Sequence, residues 1–142
     1  MKSRSILLPA LVFASCAGQP SAERPNVIVI LADDLGCGDL SALGCEVLHT
    51  PNLDRLCAQG LNLTNGHAAA PTSTPSRYSL MTGLYPWRNS DAEVLTGDAN
   101  LLIADGQPTL AGMMRQAGYA TGAVGKWHLG LGRGPIDWNR PI

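Results

Sequence analysis

The fold is decided by the stretch Asn26-Val-Ile-Val-Ile-Leu-Ala32, which is followed at once by Asp33-Asp34 and a glycine-rich turn. A continuous β-branched apolar run of this length is typical of a strand that is buried on both faces, as in the middle of a parallel sheet. The abrupt change from this apolar run to two carboxylates predicts that the strand ends at Ala32. The sequence therefore predicts a buried parallel strand that ends at a polar site.

Helix and strand patterns alternate along the rest of the chain. Apolar segments over residues 61–67 and 119–124 predict two further strands, and residues 88–107 predict an irregular loop. Thr50-Pro51 opens a helix that Gly60 ends, Ser76 to Thr82 forms a short helix with Ser73 just outside it, and Thr109 caps a helix from Leu110 to Gln116. This alternation predicts a doubly wound α/β sheet, in which functional groups gather beyond the carboxyl ends of the strands.

Composition narrows the function classes. The chain has 142 residues, with 10 Lys and Arg against 11 Asp and Glu, so its formal net charge is close to zero. This balance gives no electrostatic reason to expect nucleic acid or an anionic membrane surface as partner. No apolar stretch reaches the roughly 20 residues that a bilayer span needs. We expect a single α/β domain.

The first residues predict a targeting signal over residues 1–17, followed by a linker over 18–25. Lys2 and Arg4 precede a short apolar run, which is the order of a secretory signal peptide. Two cleavage sites compete: one before Cys16, which would make the protein a lipoprotein with a lipid anchor, and one after Ala17. In both cases we expect export, to the periplasm or to the cell surface as an outer-membrane lipoprotein.

Three cysteines remain after either cleavage, at Cys37, Cys45 and Cys57. An odd number leaves open one disulfide with a free thiol, or three buried thiols. The C-x-x-C spacing of a redox or metal motif is absent. We therefore expect these cysteines to serve packing and to take no part in catalysis.

Asp33 and Asp34 are the first candidate site residues. Adjacent carboxylates at a strand end repel each other, and a hard divalent cation such as Ca²⁺ or Mg²⁺ is a natural compensator. Ca²⁺ takes about 6–8 oxygen ligands, so the others would come from elsewhere in the protein. The alternative is that one carboxylate caps the following turn and the other is solvated.

The second and third candidates are Ser73-Thr-Pro-Ser-Arg77 and Lys126-Trp-His128. Ser73 next to a helix start, with Arg77 one turn later, predicts an oxyanion site; a simple Ser cap with a surface arginine is the alternative. Lys126 and His128 would project to one face of an extended segment, as an anion-binding charge and an acid or base. The alternative there is an exposed strand end.

These clusters, in this order, resemble the serine-type, formylglycine-dependent sulfatase family of the alkaline-phosphatase-like superfamily. The resemblance runs from about Arg24 to Gly132 and is carried by Ala32-Asp-Asp-Leu-Gly36, Thr50-Pro-Asn-Leu-Asp54, Ser73-Thr-Pro-Ser-Arg77 with Leu80-Met-Thr-Gly83, and Gly125-Lys-Trp-His-Leu-Gly130. It implies that residues 26–142 are the N-terminal part of a catalytic domain. The implied fold is an α/β/α sandwich with a mostly parallel sheet.

The resemblance also implies roles for individual residues. Ser73 would be oxidised to formylglycine by a radical-SAM maturation enzyme of a bacterial source, and its hydrate would supply the attacking hydroxyl. Asp33, Asp34 and hydrated Ser73 would be ligands of Ca²⁺, with Mg²⁺ as the other candidate. Arg77 would hold the formylglycine, Lys126 would bind the sulfate, and His128 would take a proton as the covalent sulfate ester breaks down.

The implied activity is hydrolysis of sulfate esters, of glycans or of aryl sulfates. The family also has a later Asp-Asn or Asp-His pair and a further Lys and His, which this sequence lacks. The chain therefore resembles an N-terminal fragment without part of the metal and sulfate ligands, which argues against activity of the fragment alone. Two alternatives remain: a phosphonate monoester or phosphodiester hydrolase of the same superfamily, and a non-catalytic module that binds sulfated glycans.

Overall fold

The computed structural model describes residues 24–132, and the signal peptide with its two cleavage sites and most of the linker lie outside them. Contacts divide the described residues into two units, a first unit over residues 24–32 and a second unit that begins at Asp33. Between residues 24 and 132, no helix has both the length and the apolar character for a membrane crossing.

Three helices organise the second unit. Helix α1 spans Pro51–Gln59, α2 spans Ser73–Thr82 and α3 spans Leu110–Gln116. Short 3-10 turns lie at Cys37–Asp39, Ser41–Leu43 and Pro86–Arg88. The predicted cap of α3 is confirmed, because Thr109 Oγ1 accepts the N–H of Gly112 at 3.0 Å. The bounds of α1 and α3 match the prediction, since proline, threonine and glycine act locally at helix ends.

Thr50 precedes α1 as predicted, but its hydroxyl does not cap the helix backbone. It donates instead to the Asp54 carboxylate at 2.9 Å and lies 2.9 Å from the Ser41 hydroxyl. Asp54 also accepts Ser41 Oγ–H at 2.6 Å and the N–H of Ala42 at 2.9 Å. We call Ser41, Ala42, Thr50 and Asp54 the Asp54 cluster. It fastens the start of α1 to the preceding 3-10 turn.

The predicted start of α2 was wrong. Ser73 is the first residue of the helix, not the residue outside it, and Thr72 takes the N-cap position. The first helical bond runs from Ser76 N–H to Thr72 O at 3.1 Å. Pro75 is the third residue of the helix and is tolerated there because the N–H groups of a first helical turn have no intrahelical acceptor.

The predicted strands are not formed as a sheet within residues 24–132, where no strand is assigned. Residues 26–32, 61–67 and 119–124 lack ladder partners there, and their apolar side chains stay accessible, as with Ile28 at 81% and Leu61 at 84%. A buried parallel strand needs a neighbour along its edge and helices on both faces. An apolar run indicates a strand, but it does not specify the neighbouring strands and helices that complete a sheet.

The core of the second unit is small and lies beside α2. Its buried side chains are Tyr78, Ala92, Ile103 and Leu129, with Met81, Leu102 and Trp127 packed against them. Backbone bonds from Leu102 N–H to Leu129 O and from Leu131 N–H to Ala99 O tie the last described segment to the loop after α2. The core therefore fixes residues 127–132 next to the helix that carries Ser73.

Candidate active site

The start of α2 positions the Ser73 hydroxyl against a guanidinium. Arg77 follows Ser73 by four residues, which is one helical turn, and its Nε–H donates to Ser73 Oγ at 3.0 Å. The Arg77 side chain is only 13% exposed. Its Nη1 also donates to the Lys126 carbonyl at 2.6 Å. The predicted Ser73–Arg77 pairing is thus formed, and the arginine is held from two directions.

Asp33 joins this group from a distant part of the chain. Its Oδ2 accepts Lys126 Nζ at 2.9 Å, and its Oδ1 lies 3.6 Å from Arg77 Nη2. The hydrogen bond from Lys126 is the largest cause that lowers the pKa of Asp33, with attraction from Lys126, Arg77 and His128 adding to it and desolvation opposing it. Ser73, Arg77, Asp33 and Lys126 therefore form one polar cluster, the Ser73 cluster.

Lys126 and His128 do not share an extended segment as predicted. Gly125 has a φ of 108° and His128 a φ of 54°, both left-handed, so the backbone turns at each end of this motif. Lys126 extends to Asp33, whereas the His128 ring places Nε2 at 2.9 Å from the Leu95 carbonyl oxygen. The left-handed residue at His128 breaks the two-residue alternation on which the prediction depended.

The His128 ring is anchored by groups that the sequence did not single out. The backbone carbonyl of His128 accepts a hydrogen bond from the Thr74 hydroxyl at 2.9 Å. The oxygen of that hydroxyl in turn accepts the N–H of Leu95 at 3.3 Å. Within residues 24–132, Nδ1 of His128 is buried and has no hydrogen-bond partner. Leu95 escaped sequence analysis because it acts through its backbone, whereas Thr74, adjacent to Ser73 in a recognised motif, carried a detectable signal.

The oxygen donors of Asp33, Asp34 and Ser73 suit a hard divalent cation, since carboxylate and hydroxyl oxygens are what Ca²⁺ and Mg²⁺ prefer. Asp34 is exposed and has a φ of 57°. Among residues 24–132, no three His, Cys, Asp or Glu side chains gather closely enough to hold a metal ion. The donor chemistry fits the cation, and the described residues supply fewer ligands than a Ca²⁺ shell needs.

Cys37, Cys45 and Cys57 are free thiols, so of the alternatives for the cysteines the structure shows no disulfide among them. Cys37 is exposed, and Cys45 and Cys57 are partly buried. The Cys45 sulfur accepts the N–H of Leu48 at 3.3 Å. None of the three belongs to the Ser73 cluster.

Comparison with known proteins identifies the family. The sequence model of the family described as Sulfatase matches residues 25–133. An N-acetylgalactosamine-6-O-sulfatase of Bacteroides thetaiotaomicron is 48% identical over 100% of this chain and 30% of that relative. Arylsulfatase G of Rattus norvegicus is 44% identical over 87% of the chain, and steryl-sulfatase of Homo sapiens 39% over 92%, each covering 24% of the relative.

A solved structure agrees with these relatives. It is described as concerning the metabolism of multiple glycosaminoglycans by Bacteroides thetaiotaomicron, and it matches with a TM-score of 0.76 and 52% identity over 78% of this chain and 23% of its own. This likeness supports the α/β fold of the alkaline-phosphatase-like type.

The chain belongs to the sulfatase family. Members of this family use a formylglycine and a divalent metal. The resemblance drawn from the sequence motifs is confirmed, and the chain matches the N-terminal portion of its relatives. It spans between about a quarter and a third of the length of the relatives it matches.

Proposed function

We propose that the Ser73 cluster contributes the nucleophile and part of the sulfate site of an enzyme that hydrolyses sulfate esters. The observation that carries this proposal is the Nε–H donation from Arg77 to Ser73 Oγ at 3.0 Å, in a cluster that also contains Asp33 and Lys126. A hydroxyl at a helix start that accepts from a guanidinium, in a cluster that also holds an ammonium, suits a group that must receive a tetrahedral anion. A surface serine with a solvated arginine would not need this arrangement.

Ser73 is proposed to be oxidised to formylglycine. Cβ of Ser73 loses one hydrogen and its hydroxyl loses the other, so the C–O single bond becomes the C=O of an aldehyde, and a radical-SAM maturation enzyme accepts the two electrons. Addition of water to the resulting aldehyde gives two hydroxyl groups on one carbon. One hydroxyl attacks sulfur while the ester oxygen leaves with a proton. The other then loses its proton, the bond between the residue 73 carbon and the sulfate oxygen breaks, and the aldehyde forms again.

The neighbouring side chains have distinct tasks in this scheme. Arg77 keeps the residue 73 oxygen in place through Nε–H, and Lys126 supplies positive charge to the sulfate oxygens. His128 accepts the proton of the second hydroxyl of the hydrate, as sulfate leaves, at the ring nitrogen that the Leu95 carbonyl does not bind. Asp33, Asp34 and the residue 73 oxygen would hold Ca²⁺, with Mg²⁺ as the other candidate. When bound, the cation would make the hydrate easier to ionise.

The relatives are about three to four times as long as this chain, so the whole enzyme is proposed to contain residues that complete both the site and the sheet. Additional metal and sulfate ligands would come from outside residues 24–132, because the described part gathers too few carboxylates and histidines. The accessible apolar segments, such as residues 27–31, would become strands of a mostly parallel sheet in the whole protein.

Glycan sulfates are the proposed substrate class. The relatives of highest identity described above act, by name, on N-acetylgalactosamine 6-sulfate or concern glycosaminoglycans, and both come from a bacterium. A 6-sulfated hexosamine is therefore the first substrate to test, before aryl sulfates. The predicted signal, with its lipid anchor at Cys16 in one form, would place the enzyme in the periplasm or on the cell surface.

The test uses the full-length protein produced together with a serine-type maturation enzyme. Release of sulfate from 6-sulfated N-acetylgalactosamine is measured beside hydrolysis of a matched phosphonate monoester, with Ser73→Ala as the inactive reference. We expect sulfate release that depends on Ser73. Faster phosphonate hydrolysis would favour the sister enzyme class, and glycan binding without any turnover would favour the non-catalytic module.

A further inference from the structure

Thr74 is the buried polar residue of the described chain, with an exposure of 0%. It is the second residue of α2 and follows Ser73 directly. Its hydroxyl donates to the carbonyl of His128 at 2.9 Å and accepts the N–H of Leu95 at 3.3 Å. A threonine hydroxyl has one proton to donate, so this donor is fully used and the acceptor side is engaged as well.

The two residues that Thr74 contacts also contact each other. Nε2 of the His128 ring lies 2.9 Å from the Leu95 carbonyl oxygen. A backbone carbonyl can only accept a hydrogen bond, so Nε2 must carry the proton. In the neutral ring Nδ1 then holds a lone pair, and this nitrogen is buried without a partner among residues 24–132. The Leu95 carbonyl therefore selects which nitrogen is free to act as a base.

Thr74 ties together the backbones at both ends of this bond. The Thr74 hydroxyl binds the backbone N–H of Leu95 and the backbone C=O of His128. The hydrogen bond of the His128 ring uses a different pair of groups, the ring nitrogen Nε2 and the backbone C=O of Leu95. His128 also adopts a φ of 54°, which is disfavoured for a residue with a side chain and must be held by its surroundings. The Thr74 bond to the His128 carbonyl is one such contact.

We propose that Thr74 is a positioning residue that fixes the Nε2–H tautomer of His128 through Leu95. By this arrangement Nδ1 is kept as the proton acceptor in sulfate ester hydrolysis. The inference concerns the tautomer and its support, and its link to catalysis rests on the proposed function. A purely structural role would satisfy the same buried hydroxyl without any effect on the ring.

The test is a long-range ¹H–¹⁵N spectrum of the full-length protein labelled at histidine nitrogens, recorded at a pH where the imidazoles are neutral. His128→Asn assigns the signals. We expect wild-type His128 to show a protonated Nε2 and an unprotonated Nδ1. A protonated Nδ1 or an even mixture in the wild-type protein would overturn the inference without reference to any variant.

Two variants then isolate the hydroxyl. Thr74→Val keeps the volume and removes both hydrogen bonds, and we expect the His128 signals to move toward a mixture of tautomers. Thr74→Ser keeps the hydroxyl, and we expect the wild-type pattern to return. His49 and His67 in the same spectra should not change. If Thr74→Val lacks a cooperative thermal transition, Thr74→Ala replaces it. An unchanged tautomer in a folded variant without the hydroxyl would contradict the proposal.

Kinetics separate this inference from the proposed function. In the matured enzyme, Thr74→Val is expected to lower kcat between about tenfold and 10²-fold with little change in KM, because a misplaced proton acceptor affects the chemical step. Thr74→Ser should restore kcat. A fixed tautomer in a protein without sulfatase activity would refute the function alone. Full kcat in Thr74→Val would refute the positioning role alone.

Discussion

Lys126 Nζ lies 2.9 Å from Oδ2 of Asp33, although 93 residues separate the two along the chain. This contact brings Asp33, which follows the apolar segment of residues 26–32, to the Lys126-Trp-His128 motif near the end of the described residues. Arg77 bridges the same two residues, through Nη2 to Asp33 and through Nη1 to the Lys126 carbonyl. The arginine of α2 is thus the point at which the three sequence motifs meet.

Arg77→Lys is expected to reduce sulfate ester hydrolysis by about 10²-fold or more, on the scale seen when a positioned donor is removed from an oxyanion site. Lysine keeps the charge but cannot reach Ser73, Asp33 and the Lys126 carbonyl together. The measurement is kcat/KM of the matured protein. Arg88→Lys, at an exposed position in the turn after α2, serves as the control and should retain activity. Wild-type rates in a folded Arg77→Lys protein would contradict this role.

Metal binding should depend on the adjacent aspartates. Asp33→Asn and Asp34→Asn are each expected to weaken Ca²⁺ binding to the full-length protein by about 10-fold or more, since changes even in the residues that orient metal ligands have effects of that size. Isothermal titration calorimetry after chelator treatment measures the affinity, and a parallel Mg²⁺ titration tests the other candidate. Asp91→Asn, an exposed aspartate outside the cluster, is the control. Unaltered Ca²⁺ affinity in both variants would remove these residues from the metal site.

Stability should depend on pH through Asp54. Hydrogen bonds from Ser41, then Thr50 and the Ala42 backbone, lower the pKa of this carboxyl in the folded protein. Because the folded-state pKa is the lower one, the stabilisation is present above the usual aspartate pKa and is lost as the pH falls through the lowered value. Thermal melts of the wild-type protein should show a Tm that declines as the pH falls through the acid range. Asp54→Asn should lower Tm at neutral pH and make Tm less dependent on pH. Asp91→Asn should leave the wild-type profile, and an identical profile for Asp54→Asn would refute the cluster's role.

Gly130 is expected to be intolerant of any side chain. Its φ is 76°, and a Cβ there would overlap the carbonyl oxygen of Asn100. Gly132 has a similar φ of 88°, and no atom lies within 4 Å of the place where its Cβ would be. Gly132→Ala therefore has only the cost of the left-handed backbone, without a steric overlap. We expect Gly132→Ala to reduce the free energy of unfolding by about 1–2 kcal/mol and Gly130→Ala to reduce it by clearly more. Equal losses by denaturant unfolding would show that the Asn100 contact has no consequence.

The sequence predicted the parts of this structure that depend on neighbouring residues. Thr109 caps α3, Gly60 ends α1, and Arg77 meets Ser73 because a helix brings residues four apart together. The start of α2 was misplaced by three residues, from Ser76 to Ser73, since proline fits several positions of a first turn.

The remaining differences between prediction and structure concern contacts that no local pattern encodes. The strand segments have no ladder partners within residues 24–132, and strand pairing depends on chain that lies far away in sequence. His128 departs from the extended conformation because of its φ of 54°. The Leu95 carbonyl could not be found, since every residue carries the same backbone acceptor.

The most direct test is peptide mass spectrometry of residue 73 in the full-length protein isolated from its own cells. The formylglycine mechanism predicts that the peptide containing residue 73 is lighter by two hydrogens than the unmodified serine peptide and reacts with a carbonyl-specific hydrazide. The Ser73→Ala protein provides the reference that cannot react. An unmodified Ser73 in protein from cells that contain an active serine-type maturation enzyme would contradict the proposed mechanism.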